Sequence, residues 1–147
     1  VVAPSLYRQG AAIIARRVDG RYLLVKKPRR HHAWQFPQGG VEAGEDYRTA
    51  ALREFQEEIG TDKLNLAESE CGLFRYDFPP SVQLAYAKGQ YCGQEIHFFC
   101  AEFLGTDTDI SLQAAELSEY RWVTLAELPA LIEDPDYLKI VQKIIHA

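Results

Sequence analysis

Apolar and polar positions along the chain alternate between two periods. Leu52, Phe55 and Ile59 recur at i, i+3 and i+7, which predicts a helix from about Asp46 to Ile59 with one apolar stripe. Gly60 stands where a left-handed residue ends such a helix. The runs 10-GAAIIARRV-18 and 21-RYLLVKK-27 read as strands, joined by a hairpin turn at Asp19-Gly20. Further strands are expected at 71-CGLFRYDF-78, 94-QEIHFFCAEFL-104 and 119-EYRWV-123. The second of these is apolar on both faces, as a central strand is. Thr124 and Glu127 have capping-box spacing ahead of a short helix, and Asp136 to His146 forms a closing amphipathic helix. The segment 28–40 reads as a loop with a short extended WQF. The segment 80–93 reads as a partly stranded link. Mixed in this order, the elements predict an α/β fold, a mixed β-sheet sandwiched between α-helices.

No repeat, low-complexity tract or linker divides the chain, and 147 residues is the size of one ordinary domain, so residues 1–147 are expected to form a single domain. At 47% hydrophobic and 25% charged, the chain can bury a core. No stretch approaches the roughly 18 to 20 apolar residues of a membrane span, so no membrane partner is expected. Cys71, Cys92 and Cys100 are odd in number and form no C-x-x-C pair. A disulfide framework or zinc site is therefore not expected, and a reducing, cytoplasmic setting is. The chain begins at Val1 and contains no Met, so its natural start is expected to lie upstream. The net charge of −5 is unevenly spread. Residues 1–53 hold ten of the Lys and Arg against four acids, and the remainder holds six against seventeen. That balance argues against a groove for nucleic acid over the whole surface and leaves room for a local anion site in the first third.

The predicted helix carries Glu54, Glu57 and Glu58 three and four residues apart, on a face other than the apolar stripe. At about 5 Å and an effective dielectric near 20, each pair repels by roughly 3 kcal/mol. A solvated acidic face does not account for Gly39, Glu45 and Arg53 at their offsets. A divalent cation accounts for the acids: Mg²⁺ takes hard oxygen ligands, keeps several waters and shares itself with phosphates.

Residues 39 to 61, GGVEAGEDYRTAALREFQEEIGT, resemble the Nudix box, G-x5-E-x7-R-E-U-x-E-E-x-G-U, where U is a bulky aliphatic residue. Gly39, Glu45, Arg53, Glu54, Glu57, Glu58 and Gly60 match; Phe55 and Thr61 depart from the usual aliphatic positions. The resemblance implies a Nudix fold and a hydrolase acting on phosphorus anhydride bonds. It implies Glu54, Glu57 and Glu58 as Mg²⁺ ligands, with Mn²⁺ a possible substitute, and the Gly39 carbonyl as another oxygen. Glu45 and Arg53 are implied as a pair that orients the acidic helix. Which glutamate is the base stays open.

The flanks extend the resemblance. The segment 34-WQFPQGG-40, Tyr7-Arg8, 74-FRYDFP-79, Gly93-Gln94 and 116-ELSEYRWV-123 are similar to dinucleoside polyphosphate hydrolases and bacterial RNA 5′-pyrophosphohydrolases. This implies Arg8 and Lys27 as phosphate contacts, together with Gln38, Gly39 and Gly40. It implies Glu116 as an acid outside the box that binds metal or acts as base. His97 stands where those relatives carry a basic residue, and reads equally as a phosphate contact or a packed histidine. The basic run 26-KKPRRHH-32 reads as a clamp at the mouth of the site. The leading expectation is removal of pyrophosphate from the 5′-triphosphate end of RNA. The alternatives are cleavage of diadenosine polyphosphates, hydrolysis of nucleoside triphosphates, or a non-catalytic role like that of a Nudix-like protein of the mitochondrial ribosome. A homodimer is a further possibility for such enzymes.

Overall fold

In the computed structural model, residues 6–28, 34–85 and 90–146 are described. The apolar run near the start of the chain forms the buried part of β1 (Leu6–Arg16). Ala11, Ile13 and Ala15 enter one core cluster, and Ala12 and Ile14 enter another on the opposite face. A strand buried on both faces must lie inside a sheet covered on both sides. β1 turns through Gly20, at φ 89°, into β2 (Tyr22–Lys26). β3 (Trp34–Gln35) and β4 (Gln38–Gly40) follow, then α1 (Tyr47–Ile59). Next come β5 (Leu64–Leu66), β6 (Gly72–Asp77), α2 (Pro80–Ala85) and β7 (Tyr91–Phe103). A 3₁₀ turn at Asp107–Asp109, β8 (Glu119–Val123), a second 3₁₀ turn, α3 (Leu128–Leu131) and α4 (Pro135–His146) complete the order.

The eight strands form one mixed sheet with the path β3-β2-β1-β7-β5; β4 joins β1, β6 joins β7 and β8 joins β2. β1 and β7 run parallel, with Arg8 opposite Gln94 and Ile13 opposite Phe99. α1 lays Ala50, Ala51, Phe55 and Ile59 on one face of the sheet. α3 and α4 cover the other through Leu128, Tyr137 and Val141. The expected sandwich of a mixed sheet between helices is the observed one.

Local signals explain most boundaries. Asp46 caps α1, its Oδ1 accepting from the Thr49 N–H at 2.7 Å. Gly60 closes it at φ 84° and donates to Gln56 O. Thr124 begins the second 3₁₀ turn, its N–H donating to Glu127 Oε1 at 3.0 Å. The two departures from the Nudix box serve packing: Phe55 is buried, and buried Thr61 accepts from the Lys63 N–H. Other expectations are corrected. Residues 80–85 are helical rather than stranded, with Pro80 at the first helical position, where its missing N–H costs nothing. Residues 38–40 form a strand rather than a loop, because β1 supplies pairing partners from Gly10 to Ala12. The short β5 has no periodic signal of its own and exists through pairing with 101–103 of β7. Residues 29–33, most of the expected basic clamp, lie outside the described residues, as do 86–89 of the link.

Ile13 is fully buried at the centre of β1. Ile13→Ala is expected to lower unfolding free energy by about 2–5 kcal/mol, read as a lower urea midpoint at unchanged slope.

Candidate active site

The helix α1 is fixed to the sheet by its small and aromatic stripe, and this decides where its acids fall. Glu57 points to solvent, Glu54 is half-buried, and Glu58, beside Ile59, is only 4% exposed. The expectation that all three glutamates avoid the core-facing side therefore needs correction. One turn of helix separates Glu54 from Glu58, but docking swings Glu58 inward beneath β4.

Arg53 organises the cluster. Its Nε donates to Glu45 Oε2 at 2.7 Å and its Nη2 to Glu45 Oε1 at 3.0 Å, a two-pronged pair. The same Nη2 reaches the Gly40 carbonyl at 2.9 Å. Nη1 donates to Glu54 Oε1 at 3.0 Å and to Glu57 Oε2 at 3.3 Å. The guanidinium holds the Glu45 carboxyl down at about 2, helped by the Glu42 N–H. Glu45 in turn raises Arg53 above its ordinary value. Burial pushes Glu58 up to about 8; Glu54 and Glu116 add to that rise, while the Gln38 N–H and Lys27 oppose it. Burial also raises Glu54, and the Arg53 hydrogen bond works against it.

These groups open on a cleft of about 640 Å³. Glu54, Glu57, Glu58 and Glu116 line it together with Arg8 and Lys27, so acids and cations face one space. Two glycines permit this. A Cβ on Gly39 would lie 2.0 Å from Glu54 Cδ, and one on Gly40 would lie 2.5 Å from Arg8 Nη2. The bare backbone of β4 lets a carboxylate and a guanidinium close in together. The Gln38 N–H donates to Glu58 Oε1 at 3.0 Å, while Gln38 Oε1 is buried without a hydrogen-bond partner. An orphaned buried carbonyl beside hard carboxylate oxygens suits a cation or a hydrogen-bond donor that binds there.

Glu45, Arg53, Glu54, Glu57, Glu58, Glu116, Arg8, Lys27, Gln38, Gly39 and Gly40 thus come together around one cleft, Glu45 behind it on Arg53. The carboxylates are shared among Arg53 and the Gln38 N–H, and among the described residues no three His, Cys, Asp or Glu side chains gather at one point. Their hard oxygens on one wall, with the Gly39 cradle, fit a divalent cation. His97 lies elsewhere. It stacks on Tyr47 at 3.6 Å between ring centres, and its nitrogens meet Glu70 Oε1 at 2.7 Å and Gln9 Oε1 at 2.9 Å. Its packed reading is the correct one. Sequence reasoning did not place Gln94 in the cleft, where Tyr76 donates to its Oε1 at 2.7 Å, nor Gln35 and Gln113. Gln94 is the fourth residue of β7, polar yet only 8% exposed.

The NUDIX domain profile matches residues 6–144, and the chain belongs to the Nudix family. Members of this family generally use divalent cations. A Rhodospirillum rubrum protein named RNA pyrophosphohydrolase is 38% identical over 143 residues, covering 94% of this chain and 87% of that protein. One of the same name from Erythrobacter litoralis is 41% identical over 131 residues, covering 85% and 74%. Among solved structures, the E. coli dihydroneopterin triphosphate pyrophosphohydrolase aligns with a TM-score of 0.77 at 22% identity, over 97% of this chain and all of that one. A C. elegans Ap4A hydrolase binary complex aligns at 0.73 and 22% identity, over 95% and 96%.

Two outcomes follow. Between about pH 4.5 and 8 the unfolded chain has released the Glu58 proton that the metal-free folded chain keeps, so this group lowers stability as pH rises. Glu58→Gln keeps an acceptor for the Gln38 N–H and removes that slope. Its metal-free Tm at pH 8 is expected to exceed wild type by at least about 2 °C, the equivalent of roughly 1 kcal/mol in a domain this size, with little difference at pH 4.5. Gly39→Ala is expected to keep the circular dichroism spectrum while displacing Glu54. Calorimetry should then show divalent-cation affinity at least about 10-fold weaker.

Proposed function

We propose that the chain is a Mg²⁺-dependent pyrophosphohydrolase that releases pyrophosphate from the 5′-triphosphate end of RNA. The observation that carries this reading is the pairing of four carboxylates with Arg8 and Lys27 across one cleft. Acids alone would suit a cation and bases alone an anion; both together suit a cation shared with a phosphate chain. The identity of 38% over nearly the whole length to an RNA pyrophosphohydrolase supports the choice of substrate. A cytoplasmic setting goes with that substrate, and no described helix is long and apolar enough to cross a membrane.

In this reading Glu54, Glu57, Glu58, Glu116 and the Gly39 carbonyl hold the cation, with Mn²⁺ an acceptable replacement. A bound divalent cation neutralises phosphate oxygens and acidifies water. Arg8, reaching over Gly40, and Lys27 bind the phosphate chain and fix its direction. The Gln38 amide and the backbone of 39–40 form the floor on which the phosphates rest. The attacking water gives its proton to a carboxylate of the cleft. Arg53 touches no substrate; clamped by Glu45, it aims Glu54 and Glu57 and ties them to the Gly40 carbonyl. Phosphoryl transfer asks chiefly for positioning and charge neutralisation, which these residues supply.

Purified protein in Mg²⁺ is expected to give a higher kcat/KM on triphosphorylated RNA than on diadenosine tetraphosphate or free nucleoside triphosphates. A clear preference for the dinucleotide would replace the RNA reading with its sister activity. Glu57→Gln should lower kcat/KM by more than the roughly 10–100-fold typical of residues behind a ligand shell, and chelation should abolish turnover. Wild type and variant equally inert on every substrate would favour a binding role.

A further inference from the structure

Cys71 and Cys100 lie away from the cleft, and neither lines it. Both pack against the core cluster on the α4 side, and both are partly exposed free thiols. Their sulfurs are 2.9 Å apart. The backbone holds them there from two sides. The Ala67 N–H donates to the Cys100 carbonyl at 2.9 Å, and the Cys71 N–H donates to the Phe98 carbonyl at 2.7 Å. The turn 67–71 is thereby laced to β7 around the two side chains.

The separation falls between two chemistries. A disulfide bond is about 2.05 Å long. Two thiolates on a tetrahedral zinc, each about 2.3 Å from the metal, stand roughly 3.8 Å apart. Nor do three His, Cys, Asp or Glu side chains gather to complete a metal site among the described residues. The pair is set to bond to itself. Cys92, the third thiol, is buried at the start of β7 and bonds to neither.

We propose that Cys71 and Cys100 are a reversible dithiol–disulfide site, which a two-electron oxidant of the peroxide class converts into a covalent clamp between the turn 67–71 and β7. The hydrogen bond with Cys71 lowers the Cys100 thiol below its ordinary value, so the first ionisation falls on Cys100. Cys71, whose S–H also reaches the Phe98 carbonyl at 3.3 Å, holds its proton more tightly. The Cys100 thiolate attacks one oxygen of hydrogen peroxide. The O–O bond breaks, the sulfur becomes a sulfenic acid, and hydroxide leaves and takes up a proton as water. The Cys71 sulfur then attacks the sulfenic sulfur. The S–S bond forms, the S–O bond breaks, and the departing hydroxide takes the Cys71 proton as a second water. Two thiols have lost two electrons, and one peroxide has become two waters. In a reducing compartment the pair rests as thiols, and a thiol reductant returns it there.

The test uses the full chain at low concentration, treated with hydrogen peroxide, alkylated, digested without reductant and analysed by mass spectrometry. The expected product is a Cys71–Cys100 cross-linked peptide lacking two hydrogens, lost again on adding dithiothreitol. Closing a loop of 29 residues, the bond should raise Tm by about 5 °C or more over the reduced protein. Cys71→Ser and Cys100→Ser should each remove both effects, and Cys92→Ser neither. The inference is overturned by sulfinic or sulfonic acid at Cys71 or Cys100 in place of the cross-link, by cross-links only between molecules or to Cys92, or by a cross-linked protein with no higher Tm. The wild-type peptide map and melting curve decide the matter even where a serine variant fails to fold.

Discussion

The candidate site depends on one guanidinium. Arg53 spends its donors on Glu45, Glu54, Glu57 and the Gly40 carbonyl. Without it, Glu54 and Glu57 would face each other across one turn of α1 without a cation between them, at roughly 3 kcal/mol of repulsion. A lysine would not replace it, because an ammonium is a point charge and cannot present a flat fork to Glu45 while reaching two further carboxylates. Glu45 completes the arrangement. It keeps Arg53 pointing at β4, and so joins the helix to the two glycines that form the floor of the cleft.

Those glycines matter for what they leave out. Acid and base approach β4 side by side, Glu54 at Gly39 and Arg8 at Gly40, each occupying room that any side chain would claim. The charge asymmetry of the chain acquires a spatial meaning here. β1 and the residue just after β2 bring Arg8 and Lys27 from its basic first third, and α1 and the segment before β8 bring the acids. The excess positive charge near the start of the chain is thus in part the complement of its acidic middle.

Much of this was legible in the residues. The strand at 119–123, the helix with its Asp46 and Gly60 ends, and the covering of the sheet on both faces were all written in periodicity and capping. What escaped was non-local. β4 and β5 are only three residues each and exist through partners distant in the chain. The burial of Glu58 depends on how α1 is rotated on the sheet, which its own spacing does not reveal. Gln94 and Gln35 enter the cleft through tertiary position alone, and His97 leaves it because alternation along β7 sends it to the Tyr47 side. The proximity of Cys71 and Cys100 likewise comes from the pairing of β6 with β7 and not from any spacing rule.

The parallel pairing of β1 with β7 bears on how the chain reaches this state. Arg8 and Gln94, neighbours in the sheet, are separated by most of the polypeptide. Until β7 has been synthesised, the apolar run 11–15 lacks its parallel partner on that edge. Joining two such distant strands means closing a long loop before any contact repays the entropy, which slows folding. A nascent chain that has finished its acidic helix already holds Arg8, Lys27 and β4, but not β7, the strand on which Arg8 is paired.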